Sequence, residues 1–139
     1  MDTRAWMAII LGCVAAGDDL RRRVISNWIC LLAFACGLGY HVVVRGPAGL
    51  LTAAGGALLG FAAFLVFYWL GGMGGGDLKL MAGFGALLGP SLVWIAALLA
   101  CVIGGALAAV SLLFNRRQKA IPYAPAIVLG AWLALLAGR

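Results

Sequence analysis

Charged side chains are scarce in this sequence. Only 10% of its 139 residues are charged and 65% are hydrophobic, whereas a soluble domain carries about 25% charged residues. The polar side chains are too few to cover a water-facing surface, which excludes an ordinary soluble domain and indicates lipid as the solvent. The length allows one domain, and we expect residues 1–139 to form a single transmembrane unit.

Glutamate is absent, histidine occurs once, and no two cysteines form a CxxC pair. The four cysteines lie inside apolar runs, where they behave as small hydrophobic residues. Their spacing supports neither a disulfide framework nor a metal site, so we expect no metal and no cofactor. The net charge of +6 comes from basic residues that stand singly or in short clusters between apolar runs. That pattern sets membrane topology and is not typical of a nucleic-acid-binding face, so no nucleic-acid partner is expected.

Apolar segments follow one another along most of the chain. A helix needs about 20 apolar residues to cross the hydrocarbon layer. Proline cannot continue a preceding helix, so Gly89-Pro90 is the natural break in the long apolar stretch Leu80–Phe114. We therefore predict an all-α integral membrane protein, a bundle of about six transmembrane helices of which the fourth is short. The predicted segments are Ala5–Gly17, Trp28–Val44, Pro47–Leu70, Leu78–Gly89, Ser91–Phe114 and Ile121–Gly138.

Basic residues are unequally distributed between the loops that six crossings produce. With the N-terminus outside, the cytoplasmic loops contain seven of them and the outer side contains three. With five crossings this asymmetry disappears, so the positive-inside rule favours six crossings and an outside N-terminus. The cytoplasmic set is Arg21, Arg22, Arg23, Lys79, Arg116, Arg117 and Lys119, and the outer set is Arg4, Arg45 and Arg139.

Three of the four carboxylates stand where a membrane protein is expected to avoid them. Asp18 and Asp19 directly follow the first segment, and Asp77 lies at the start of the fourth. An ionised carboxylate in hydrocarbon is costly, which makes such residues functional candidates. In the predicted topology both acidic sites lie on the cytoplasmic face, so they can meet. Two carboxylates held together share a proton, and such a pair is the catalytic group of an aspartic protease.

The same residues also permit interpretations without catalysis. Asp77 suits a helix N-terminus, and Asp18 and Asp19 can form a solvated pair neutralised by Arg21–Arg23. The glycine-rich residues 71–76 form either a plain loop or a narrow approach for an extended substrate backbone, since glycine adopts positive φ angles. The alternative to a protease is a small membrane transporter or an assembly scaffold that uses the aspartates for protons or ion pairs.

Three motifs resemble those of one family, the type IV prepilin peptidases. Residues 71–80, GGMGGGDLKL, resemble the family signature G-x-G-D-x-K-L. Residues 19–27, DLRRRVISN, are similar to its Asp followed by basic residues and Ile-Pro-Asn. Residues 121–126, IPYAPA, are similar to the I-P-Y-G-P-A start of its last helix. In its short length the sequence resembles the CpaA/TadV branch, which serves Flp-type (tight-adherence) pili.

The resemblance implies an intramembrane aspartic endopeptidase, a hydrolase in the bacterial inner membrane. Its implied partners are prepilin and pseudopilin substrates, from which it removes the leader at the cytoplasmic face, and membrane lipid. Asp19 and Asp77 are the implied catalytic pair, and Asp19 is preferred to Asp18 because it stands eight residues before Asn27. The residues expected to bind or support substrate are Gly74, Gly76, Lys79 and Asn27.

Two positions depart from the family pattern. Ser26 replaces the usual proline, which is expected to loosen a turn without removing chemistry, and Ala124 replaces the usual glycine. The larger bifunctional members carry an N-terminal insertion with paired CxxC motifs and also methylate the new N-terminus. Nothing similar occurs here, so neither zinc nor methyl transfer is expected. The residue pattern leaves the oligomeric state open.

Overall fold

The computed structural model describes residues 2–114 and 121–138, and within these ranges every regular element is an α-helix. Helices α2, α3 and α5 are each long and apolar enough to cross a membrane, and α6 is a shorter apolar helix. The prediction of an all-α membrane protein with six helices and a short fourth one is confirmed for the described residues. The bounds are α1 Thr3–Arg22, α2 Asn27–Arg45, α3 Ala48–Trp69, α4 Gly75–Leu88, α5 Pro90–Leu113 and α6 Ala124–Ala137.

Successive helices run in opposite directions, so the helix ends gather at the two ends of the bundle. One end, here called the aspartate end, contains the α1–α2 and α3–α4 connections and the start of α6. It carries Arg21–Arg23 and Lys79, whereas the opposite end carries Arg4 and Arg45. The orientation in the membrane and the number of crossings stay predictions. The remaining basic residues of the predicted topology, Arg116, Arg117, Lys119 and Arg139, lie outside the described residues.

Helix α4 is the central helix of the bundle. Ten of its 14 residues are buried, and it contacts each of the other five described helices, α2 and α3 most extensively. A helix that is enclosed in this way is apolar around its circumference. Fourteen residues extend only about 21 Å, less than the ~30 Å of the hydrocarbon layer. At least one end of α4 therefore lies within the thickness that its longer neighbours span.

The break between α4 and α5 falls at Gly89-Pro90, as predicted. Gly89 has a φ of 78°, in the region that side chains disfavour. Pro90 is the first residue of α5, where the missing N–H removes no bond within the helix. The long apolar stretch of the sequence is therefore two helices, and the chain reverses direction between them.

Helices α3 and α4 touch backbone to backbone. A Cβ added at Gly56 would collide with the carbonyl oxygen of Gly85, and one added at Gly85 would collide with that of Gly56. One turn further along α3, a Cβ added at Gly60 would lie only 2.6 Å from the carbonyl oxygen of Met81. Lipid provides no hydrophobic force between helices, so close van der Waals packing over small residues holds them together. This contact fixes α4 in the centre of the bundle.

The α3–α4 contact predicts the effect of a single methyl group. We expect Gly85→Ala to lower the free energy of unfolding by about 1–3 kcal/mol, because the two helices must move apart to accept it. Gly105 on α5 is the matched control, since a Cβ there would meet nothing within 4 Å. Gly105→Ala should leave stability unchanged or raise it, because alanine favours helix. Thermal unfolding in detergent measures both, and equal midpoints for Gly85→Ala and wild type would contradict the contact.

Candidate functional site

Helix α1 is longer than predicted and continues through both aspartates. The predicted segment ended at Gly17, but the helix ends at Arg22, and the following Arg23 has a left-handed φ of 53°. The N–H of Arg23 donates to the carbonyl oxygen of Asp19 at 2.8 Å, which caps the helix. Adjacent residues on a helix point about 100° apart, since one turn takes 3.6 residues. Asp18 and Asp19 therefore face different surroundings.

Asp19 faces the start of α6 and is only 5% exposed. Its Oδ2 accepts a hydrogen bond from the backbone N–H of Ala124 at 3.0 Å. Ala124 is the first residue of α6, so this N–H is one of those that a helix leaves without an internal partner. A carboxylate at this position also meets the positive end of the helix dipole. The replacement of glycine by alanine at position 124 leaves this backbone donor in place.

Asp77 lies in the first turn of α4 and is 9% exposed. Its Oδ2 accepts a hydrogen bond from the backbone N–H of Gly74, the N-cap residue, at 3.2 Å. The interpretation of Asp77 as a residue that suits a helix N-terminus is therefore correct. This capping role is compatible with a chemical role. Within the described residues Oδ1 of Asp77 accepts no hydrogen bond, so this oxygen is available to react.

The two buried aspartates line one cavity of ≈ 370 Å³ at the aspartate end. Its walls come from the end of α1, the α1–α2 connection and the first turn of α4. The structure brings together all six residues that the sequence singled out, because each of them lines this cavity: Asp19, Asn27, Gly74, Gly76, Asp77 and Lys79. Within residues 2–114 and 121–138, no group of three or more His, Cys, Asp or Glu side chains is arranged to hold a metal ion.

The glycine-rich residues 71–76 form partly a loop and partly the first turn of α4. Gly75 and Gly76 belong to α4, and Gly71 alone among residues 71–76 has a positive φ, of 74°. The missing side chain matters most at Gly76, where an added Cβ would lie 3.2 Å from the Cβ of Ile25. Glycine here allows the α1–α2 connection to lie against the first turn of α4. This approach helps to bring Asp19 and Asp77 to the same cavity.

Lys79 and Asn27 connect α4 to α2 at the edge of the cavity. The Nζ of Lys79 donates a hydrogen bond to Oδ1 of Asn27 at 3.0 Å. Asn27 is the first residue of α2, and Lys79 lies half a turn beyond Asp77 on α4. The motifs had singled out both residues separately. Their contact joins positions 52 apart in the sequence, which no local spacing reveals.

Asp18 lies outside this cavity and is engaged elsewhere. Its Oδ2 accepts hydrogen bonds from the hydroxyl of Ser26 at 2.6 Å and from the N–H of Ser26 at 3.1 Å. Its Oδ1 lies 3.4 Å from Nε of Arg22. The Ser26 hydroxyl, followed by the Ser26 N–H, lowers the pKa of Asp18 below its ordinary value. The interpretation as a solvated, arginine-neutralised pair therefore fits Asp18 and is wrong for Asp19, which is buried against α6.

The structural role of Ser26 was missed at the sequence level. The replacement of proline was expected only to loosen a turn. Instead, two hydrogen bonds from Ser26 tie the α1–α2 connection to the last turns of α1. Proline has no N–H and no hydroxyl, so it cannot make either bond. The available signal was that serine directly precedes α2, a position where short polar side chains bond to backbone or neighbouring groups.

The Asp18–Ser26 contact predicts a pH dependence of stability. Because the folded-state pKa of Asp18 is below its ordinary value of 3.8, its ion stabilises the fold fully above that value. The stabilisation is lost as the pH falls through the lowered pKa. Ser26→Ala removes the stronger donor and should lose less stability than wild type on acidification. Thermal unfolding in detergent from about pH 6 to about pH 3 measures this, and equal losses in both proteins would refute the assigned contact.

Comparison with known proteins finds relatives across the segments that form this site. Residues 6–109 match the type IV leader peptidase family. The chain is 41% identical over 93 residues to a prepilin leader peptidase/N-methyltransferase of Bacillus subtilis, covering 66% of this chain and 37% of that protein. Proteins of the same name from Aeromonas hydrophila and Xanthomonas campestris are 31% identical over 142 residues and 29% over 145 residues.

The two longer alignments cover 96% and 95% of this chain, and 47% and 50% of the relatives. The chain therefore spans half or less of the length of these curated relatives. No solved structure matches the chain.

Proposed function

Because the chain belongs to the type IV leader peptidase family, we propose that it is an aspartic endopeptidase that removes leader peptides from prepilins. The observation that carries the proposal is the single cavity lined by both Asp19 and Asp77. Each carboxylate is buried and is held by a backbone N–H at the start of a helix. These hydrogen bonds restrict the orientation of the two carboxylates that we propose as the catalytic pair.

The chemistry follows from placing two carboxylates on one cavity. Like charges held close together cannot both ionise easily, so the pair shares a proton. The ionised member takes a proton from water, and the water oxygen attacks the scissile carbonyl carbon. The protonated member polarises the carbonyl oxygen and supplies the proton with which the amine leaves when the C–N bond breaks. The reaction uses water directly and forms no covalent enzyme intermediate.

Lys79 and Asn27 have a supporting role in this proposal. Their hydrogen bond places an ammonium group at the edge of the cavity that Asp77 also lines. A fixed donor at the cavity edge suits the carbonyl groups of an extended substrate backbone. Gly74 and Gly76 line the cavity and have no side chains. Their absence leaves room for an extended substrate backbone beside the carboxylates.

We propose that the aspartate end faces the cytoplasm of a bacterial inner membrane. Arg21–Arg23 and Lys79 lie at this end, against Arg4 and Arg45 at the other, and basic residues are retained on the cytoplasmic side. The N-terminus is then outside. As the finer substrate class we propose Flp-type (tight-adherence) prepilins, following the resemblance of the motifs. Parallel co-expression with Flp-type and other type IV prepilins compares the two substrate classes.

The proposed catalytic pair predicts the outcome of isosteric substitutions. Asp19→Asn and Asp77→Asn should each lower the rate of leader removal at least about 100-fold, the usual contribution of one acid–base group. Asp18→Asn is the matched control and should retain processing, because Asp18 bonds to Ser26 outside the cavity. The gel shift of a co-expressed prepilin measures all three. Processing at the normal rate in either of the first two variants would remove that residue from the proposed mechanism.

The same co-expression also separates the protease from a membrane transporter. A transporter would show flux that depends on the aspartates, without leader removal by wild type. That result would overturn the proposed function, whereas a wild-type gel shift that both cavity variants abolish supports it.

The Lys79–Asn27 contact predicts coupling between two substitutions. Lys79→Ala and Asn27→Ala should each reduce kcat/KM partially, because both lose the same hydrogen bond. The double variant should lose clearly less than the product of the two effects, since residues in contact couple by about 0.5–3 kcal/mol. Initial rates on a purified prepilin in detergent measure the four proteins. Independent effects that simply multiply would show that the contact has no part in substrate handling.

A further inference from the structure

An apolar groove with exposed walls lies beside the aspartate cavity, on the outer surface of the bundle. It has a volume of ≈ 550 Å³ and lies between α2 and α3, with α4 as its floor. We call it the α2–α3 groove. Its apolar lining consists mainly of Trp28, Leu31 and Phe34 from α2, Phe61 from α3, and Ala82 and Gly83 from α4.

The walls and the floor of the groove differ in exposure. Trp28, Leu31 and Phe61 are exposed, with Leu31 at 69%, so the groove opens laterally. Gly83 is buried, and a Cβ there would come within 2.9 Å of the Cβ of Ala33 and the carbonyl oxygen of Cys30. The floor is therefore firmly packed while the walls are free to receive another apolar group from the membrane.

The α2–α3 groove is continuous with the aspartate cavity. Asn27 and Lys79 line both spaces, and they are the polar residues at the shared edge. The thiol of Cys30, in the lining of the groove, lies 3.9 Å from the carbonyl oxygen of Gly76, in the lining of the cavity. A chain that passes from one space to the other therefore changes from polar to apolar surroundings across the Lys79–Asn27 hydrogen bond.

We propose that the α2–α3 groove receives an apolar helix of the substrate that is adjacent in sequence to the cleaved bond. This inference rests on the proposed function and adds the surface that holds the substrate. A membrane-embedded helix reaches a laterally open groove without leaving lipid, and it packs there by the helix-in-groove mode. Continuity with the cavity favours such a helix over a lipid chain, because the helix extends into a backbone that reaches Asp19 and Asp77.

Photo-crosslinking tests where the substrate helix lies. Benzoylphenylalanine is introduced at Leu31 in the Asp77→Asn protein, which is expected to bind the substrate without cleaving it, and a prepilin with its leader is the probe. The matched control is Leu98 on α5, which is 68% exposed and outside the groove. Crosslinks from position 31 to an apolar segment of the prepilin next to the cleaved bond, and none from position 98, are expected. Equal crosslinks from both positions, or none from position 31, overturn the proposal.

Filling the groove tests whether it contributes to cleavage. Ala82→Phe should lower kcat/KM for the prepilin about tenfold or more, which corresponds to 1.4 kcal/mol. Ala106→Phe, on an exposed position of α5, should not. A short peptide that contains the cleaved bond and lacks the apolar helix should be cut equally by wild type and Ala82→Phe, because it has no helix for the groove.

The outcomes separate the groove from the active site. The groove does not hold the helix if Ala82→Phe cleaves the prepilin with the same kcat/KM as wild type. The same conclusion follows if Ala82→Phe lowers kcat/KM equally for the prepilin and for the short peptide. In both cases the proposed function stands. If wild type cleaves neither substrate, the proposed function fails. The crosslinking result from position 31 then still decides whether an apolar helix binds the α2–α3 groove.

Discussion

Hydrogen bonds from helix N-termini hold both buried aspartates of this bundle. Ionisable groups are costly within a membrane protein, and the first N–H groups of a helix lack internal partners. A buried carboxylate and an unpaired helix N–H group therefore stabilise each other. This happens at the start of α4, where the N–H of Gly74 donates to Asp77, and at the start of α6, where the N–H of Ala124 donates to Asp19. Because α4 and α6 begin at the same end of the bundle, the two carboxylates face one cavity, and the proposed hydrolysis depends on this placement.

The central position of α4 determines where that cavity lies. The helix is short and enclosed, and glycine contacts such as Gly56 with Gly85 hold its backbone directly against α3. Its first turn carries Asp77, and Lys79 in the next turn bonds to Asn27 of α2. The same helix forms the floor of the α2–α3 groove, so one packed element supports both the polar cavity and the apolar surface beside it.

The helical phase of α1 gives two adjacent aspartates different chemistry. Asp18 bonds to Ser26 and lies near Arg22, and its lowered pKa keeps it ionised at the surface end of the helix. Asp19 points towards α6 and is buried. Had α1 ended before these residues, as the apolar pattern indicated, no regular geometry would have separated them. The continuation of the helix to Arg22 therefore makes one aspartate structural and leaves the other for the cavity.

The sequence by itself determined the membrane class, the helix count in the described residues and the break at Gly89-Pro90, and its motifs singled out six of the residues that line the cavity. These depend on apolar length, on local backbone chemistry and on motifs, all of which a linear pattern carries. Tertiary structure alone decided which backbone groups hold the carboxylates, how Ser26 engages Asp18, and that Lys79 meets Asn27. Asp19 and Ala124 are 105 positions apart, and Lys79 and Asn27 are 52 apart. Contacts across such distances arise from the packing of whole helices, which no local pattern specifies.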